Sequence, residues 1–143
     1  MTAKRTLQFV DTNVLVYAHD ASTGEKHERA QRLLNNLWES RAGCLSIQVL
    51  QEFYVTVTRK VTTPLTPEQA SRIIGTFDVW RVHQPATQDI QSAIVLQVRY
   101  DVSFWDAMIL HSAAQLGCDT LWSEDLNAEQ IYGNVRVRNP LIE

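Results

Sequence analysis
Residues 7–15 read Leu7-Gln8-Phe9-Val10-Asp11-Thr12-Asn13-Val14-Leu15. A short strand-like run stops at an acid, and a helix starts near Asn13. An Asp at that junction is a favourable helix N-cap. It also stands beyond the carboxyl end of a strand, where open α/β sheets build their sites. Both readings hold for Asp11. The pattern recurs late in the chain, where Asp119 to Trp122 reads as a strand and Asp125 follows in Leu-Trp-Ser-Glu-Asp-Leu. A turn or cap role is the commoner fate of such an Asp; Glu124 beside it reads as a solvated neighbour, with an inward direction open to either acid.

Between these two junctions strands and helices alternate. Ser22 and Glu25 have capping-box spacing, and Ala30, Leu33, Leu34, Leu37 and Trp38 follow at helical intervals. Gly43 introduces a strand around Cys44 and Leu45, and Ser46 can cap a helix to about Lys60, with Ile47, Leu50, Phe53 and Val57 as its apolar stripe. Thr66, Pro67 and Gln69 make a cap, a first-turn proline and a capping-box partner. Val79 to Val82 reads as a strand, and Thr87 opens a helix. Ser103 starts another, closed by Gly117. Val135 to Val137 reads as a last, edge strand. The alternation predicts an α/β fold, a three-layer α/β/α sandwich with a short, mainly parallel central sheet.

At 143 residues, 45% apolar and 20% charged, the chain has the size and composition of one globular domain with a real core. No apolar run approaches the roughly 20 residues that span a bilayer, and no signal-peptide pattern is present, so a cytoplasmic location is expected. Cys44 and Cys118 have no close Cys or His at metal spacing and read as buried free thiols. His19, His27, His83 and His111 share no spacing and default to surface or packing roles. The net charge of −3 excludes a basic nucleic-acid-coating protein, yet ten of the thirteen basic residues are Arg, the better partner for phosphate. They are scattered, so any such footprint must be assembled by folding.

Asp106 is the most informative acid. A helical projection of residues 104–116 sets it inside the arc of Trp105, Ile109, Ala113, Leu110 and Ala107, with Met108, His111, Ser112 and Gln115 opposite. A carboxylate on a core-facing arc is costly unless it is bonded, paired or bound to a metal. Its place three residues after Ser103 also suits a capping box, which accounts for the spacing better than for the direction. Glu52 points away from the stripe of its helix, and periodicity does not select it over Glu28 or Glu39.

Together these segments resemble the PIN-domain nucleases, and within them the VapC-type toxins of toxin–antitoxin pairs. Val-Asp-Thr-Asn-Val-Leu-Val-Tyr is similar to the first motif, with Asp11. Gln-Val-Leu-Gln-Glu-Phe-Tyr is similar to the second, with Glu52. Ser-Phe-Trp-Asp-Ala-Met-Ile-Leu carries Asp106, and Leu-Trp-Ser-Glu-Asp-Leu carries Asp125. The resemblance covers nearly the whole chain. It implies that Asp11, Glu52, Asp106 and Asp125 converge on one cleft and hold Mg²⁺ or Mn²⁺, hard ions that select oxygen ligands. The three aspartates would be the close ligands; Glu52 would bind through water or orient the nucleophile.

Asn13, Ser103 and Ser123 are candidate supporting donors and equally good caps or turn residues. The expected activity is RNA hydrolysis by a metal-activated water, leaving 5′-phosphate and 3′-hydroxyl ends. Arg5, Arg59 and Lys60 are candidates for a basic rim. A cognate antitoxin would lay a C-terminal segment into the cleft, and a homodimer would use the helices around residues 24–40 and 46–60.

Three other readings compete. A signalling receiver domain needs paired acids after the first strand and a lysine near the last; here the acid is single and the lysines are Lys4, Lys26 and Lys60. A non-catalytic RNA- or partner-binding module of the same type would be expected to lack an acid, and all four positions are filled. A DNA-directed nuclease of the same superfamily would carry inserted helices and extra acids.

Overall fold
A computed structural model describes residues 6–142. Strands β1 (Gln8–Val10), β2 (Gly43–Ser46), β3 (Arg81–His83), β4 (Thr120–Trp122), β5 (Ile131–Tyr132) and β6 (Val135–Arg138) form one sheet in the order β3-β2-β1-β4-β6-β5. Every pairing is parallel except β5 with β6. Six helices surround it: α1 (Thr12–Ala18), α2 (Glu25–Ser40), α3 (Ile47–Arg59), α4 (Pro67–Thr76), α5 (Thr87–Tyr100) and α6 (Phe104–Gln115).

Right-handed crossovers dictate the layers. From β1 the chain steps outward to β2 and then β3, so α1 to α4 lie on one face. It then returns across the sheet to β4, which puts α5 and α6 on the other. Accordingly α6 packs on β2, β4 and β6 with α5 outside it, while α2 and α3 both meet β2. The core is filled by Phe9, Leu15, Leu37, Leu45, Phe53, Ile109 and Leu121, all essentially without solvent contact. Cys44 and Cys118 are buried and free.

Several local signals hold. The Ser46 hydroxyl accepts from Val49 N at the start of α3. Thr66 and Gln69 exchange the two hydrogen bonds of a capping box ahead of α4. Gly117, at φ +80, follows α6 where a left-handed residue is needed.

Four local expectations are corrected. Ser22 does not cap α2; it sits in a 3₁₀ turn (Ala21–Thr23) capped by Asp20, and Gly24 at φ +61 precedes α2 without a side-chain cap. Val79 belongs to a 3₁₀ turn and is 81% exposed, so the third strand begins only at Arg81. β6 is not the edge: Gly133 turns the chain back, and β5 covers its far side. Met108 and Ser112 are buried although they oppose the sheet-facing arc of α6, because α5 packs on that side. A helix sandwiched between a sheet and a second helix has no polar face for periodicity to detect.

Candidate active site
Parallel pairing of β1 with β4 aligns Val10 with Trp122, so the two strands end side by side. The Asp11 amide extends the ladder by donating to the Trp122 carbonyl at 2.9 Å. Asp11 is then the N-cap of α1: its Oδ1 accepts from Thr12 N at 2.7 Å. Its Oδ2 accepts from the Ser123 hydroxyl at 2.7 Å, and Ser123 Oγ in turn accepts from Asp125 N at 3.2 Å. Ser123, fully buried, thus ties the two post-strand acids together. The carboxylate that caps α1 also lines the pocket shared with the other three acids.

Glu52 joins from α3. The Thr12 hydroxyl donates to its Oε1 at 2.8 Å, so Glu52 is half-buried and not the free surface acid that its helical stripe suggested. Asp106 stands in the first turn of α6, where Ser103 Oγ accepts its backbone N–H at 3.1 Å. The reciprocal bond of a capping box is absent, and the Asp106 carboxylate has no hydrogen-bond partner among the described residues. Asp11, Glu52, Asp106 and Asp125 all line one pocket of about 780 Å³, together with Asn13, Tyr17, Trp105 and Lys60.

The electrostatics follow from crowding acids at a buried point. Burial pushes the Asp11 carboxyl up to about 6; the bonds from Ser123 and Thr12 oppose this, while Asp125 and Asp106 push it further upward. Among the described residues Asp11, Glu52, Asp106 and Asp125 form no ion pair. Carboxylates gathered in one pocket without an ion-pair partner suit a bound cation. The donor set, all oxygen, matches a hard divalent ion. The buried Asn13 Nδ2 also has no partner, while its Oδ1 holds Glu124 N at 3.2 Å. Among the described residues, no three His, Cys, Asp or Glu side chains stand at ligating distance of one point, so binding would draw these carboxylates closer.

Glu124 is neither solvated nor directed at the other acids. Tyr17 Oη donates to its Oε1 at 2.7 Å and Lys26 Nζ to its Oε2 at 2.8 Å. Burial pushes its carboxyl up, but the bonds from Lys26 and Tyr17 outweigh that and hold it below the ordinary glutamate value. Thr12, Tyr17 and Lys26 were not legible as site residues. Only Thr12, beside Asp11, carried a signal, since the first residue of a helix shares the end of the strand with its cap. Of the expected rim, Lys60 lines the pocket, Arg59 is exposed outside it, and Arg5 lies outside the described residues.

The histidines keep packing roles. His19 packs edge-on against Phe53 and Phe77, and His27 bonds the Tyr17 carbonyl. His83 and His111 meet across Asp89, with His111 Nε2 at 2.7 Å from Oδ1 and His83 Nε2 at 3.7 Å from Oδ2.

A family model described as PIN domain matches residues 9–134. No curated protein matches the chain in sequence. Solved structures share the fold. VapC20 of Mycobacterium tuberculosis, described as a toxin cleaving the sarcin-ricin loop, is 23% identical with a TM-score of 0.62, covering 80% of this chain and 86% of its own. A toxin–antitoxin complex from Klebsiella pneumoniae is 20% identical with a TM-score of 0.65, covering 93% and 97%. DNA-bound VapBC from Salmonella typhimurium is 17% identical with a TM-score of 0.65, covering 94% and 98%.

Proposed function
Because the chain belongs to the PIN-domain family, we propose that it is a divalent-metal-dependent endoribonuclease and the toxin of a toxin–antitoxin pair. One observation carries the reading: acids from the ends of β1 and β4 and from α3 and α6 line a single pocket and, among the described residues, form no ion pair with a basic side chain. Asp11, Asp106 and Asp125 would hold Mg²⁺ or Mn²⁺, with Glu52 alongside. The ion would supply charge relief on the phosphate and a more acidic water.

The chain's own residues do the positioning. Thr12 N and Ser123 fix both oxygens of Asp11. The Thr12 hydroxyl sets the rotamer of Glu52, which orients the attacking water. Tyr17 and Lys26 keep Glu124 out of the acid cluster. The Asn13 amide oxygen holds Glu124 N and so fixes the loop that carries Asp125.

An antitoxin partner is supported by the complexes among the structural neighbours. Self-association is the further part of the reading. Exposed apolar side chains are fewer on α2 (Trp38) and α3 (Tyr54, Val55) than on α5, where Ile90, Ile94, Val95 and Val98 are open. We therefore move the expected dimer contact toward α5.

The test is cleavage of structured RNA by purified protein with and without EDTA, alongside Asp11→Asn and Asp106→Asn. Mg²⁺-restored cleavage, lost in both folded variants, is expected. Undiminished activity of both variants would overturn the proposal.

A further inference from the structure
An acidic protein with an acidic centre still has to hold a polyanion, and the pocket of the four acids contributes one lysine, Lys60. A second concavity of about 650 Å³ lies on the α2 side of the sheet, with Arg29, Arg32 and Asn36 on one wall and Trp122 on the other. Trp122 is the last residue of β4, three positions before Asp125. Its indole Nε1 donates to Gln8 Oε1 at 2.7 Å, which fixes the ring, and the Arg138 guanidinium lies 4.9 Å over it.

A row of polar side chains on α2 leads from the neighbourhood of the acid pocket to the second concavity. Lys26, Arg29, Arg32 and Asn36 recur at three- and four-residue intervals and so share one face of the helix. Lys26 marks its start, bonded to Glu124 at the edge of the acid pocket. From Lys26 to Asn36 the face runs about 15 Å. Arg29 is paired with Glu25 at 3.0 Å, and Arg138 stands 4.0 Å from Glu129; Arg32 is exposed.

We propose that this groove is a second RNA-binding site, which takes the single-stranded segment next to the cleaved phosphodiester. Arg32 and Lys26 bear on the backbone phosphates, the Trp122–Arg138 stack gives a base a flat surface, and Asn36 offers its amide to a base edge. Single-stranded RNA is bound by this combination of cations and planar stacking surfaces. An acidic protein segment would use the cations but not the stack. The proposal rests on the ribonuclease reading, and its test separates the two.

The full chain is assayed with a 20-nucleotide single-stranded RNA and with a tetranucleotide too short to occupy both sites. Arg32→Glu and Asn36→Ala, both at exposed positions, are compared with wild type. Binding of the longer RNA is measured by anisotropy in an Asp11→Asn background across a salt series. Arg32→Glu should weaken the longer RNA about tenfold or more and flatten the salt dependence by about 0.7 in logarithmic slope per lost phosphate contact. Cleavage of the tetranucleotide should be unchanged.

Equal effects on both lengths, or none on either, overturn the groove while leaving the nuclease reading intact. Absence of RNA cleavage by the wild type overturns the nuclease reading, and the groove with it. Arg32→Glu that spares RNA but abolishes binding of polyglutamate overturns the RNA assignment in favour of an acidic protein.

Discussion
The Thr12 hydroxyl, one residue past the first aspartate, holds Glu52 Oε1 at 2.8 Å across 40 positions of sequence. This bond makes α1 and α3 parts of one site. Thr12→Val keeps the shape and removes the donor. A hydrogen bond to a charged group contributes about 1.5–3 kcal/mol. Cleavage should therefore fall about tenfold to a hundredfold, mainly in kcat, and folding stability should fall by the same order of energy, so rates are compared well below the melting temperature. Thr12→Ser should restore most of the rate. Steady-state kinetics on all three proteins decide it; an unaltered kcat in Thr12→Val removes Glu52 from the mechanism.

The buried Asp11 carboxyl, held up at about 6 against 3.8, predicts a stability cost in metal-free solution. Its folded value is raised, so the folded state keeps the proton longer than the unfolded chain. Stability from this group is present below about pH 4 and is lost as pH rises through about 6. Asp11→Asn should thus stabilise the metal-free protein at pH 7 in EDTA by on the order of 1–3 kcal/mol, seen as a higher melting temperature, and by little at pH 4. Melting curves at the two pH values check the sign. Mg²⁺ should raise the wild-type melting temperature and not that of the variant.

Asp89, on α5, accepts from Ala86 N at its own helix start, meets His111 of α6 at 2.7 Å and stands 3.7 Å from His83 of β3. The Ala86 N–H and then His111 hold its carboxyl below the usual aspartate value, while burial lowers His83. Both shifts stabilise the fold at neutral pH. The His83 contribution fades as pH falls below about 6.5, the Asp89 contribution below about 4. Asp89→Ala should lower the melting temperature by several degrees at pH 7 and much less at pH 3. An equal loss at both would show that packing alone carries its role.

Gly43 has Trp80 where a side chain would go: a Cβ there would meet ring atoms at 2.5–2.6 Å. The ring is fixed in a cluster with Trp38 and Phe77. Gly43→Ala should cost about 1–3 kcal/mol through overpacking. Adding Trp80→Leu should recover part of that loss, a coupling that a double-mutant cycle in denaturant measures directly.

The layers were legible because their rules act on short stretches: strand, cap, helix, repeated with right-handed return. Asp11 and Asp125 were readable for the same reason, since both follow strands that β pairing makes neighbours. Glu52 was not, because its direction is set by Thr12, a partner that no local pattern names. The partners of Glu124 were hidden because Tyr17 and Lys26 reach it only after α1 and α2 pack. The second face of α6 and the true sheet edge were hidden likewise: each depends on what packs against it, and periodicity records only an element's own faces.

The sheet is finished at both margins by strands too short to serve as templates. β5 has two residues and runs against its neighbour; β3 has three, with Arg81 exposed. Short, charged or reversed margins give an arriving strand little backbone to grip. Contacts with other chains are thereby left to helices and grooves, whose side chains discriminate between partners, and a concentrated solution of this protein should resist growing into fibrils.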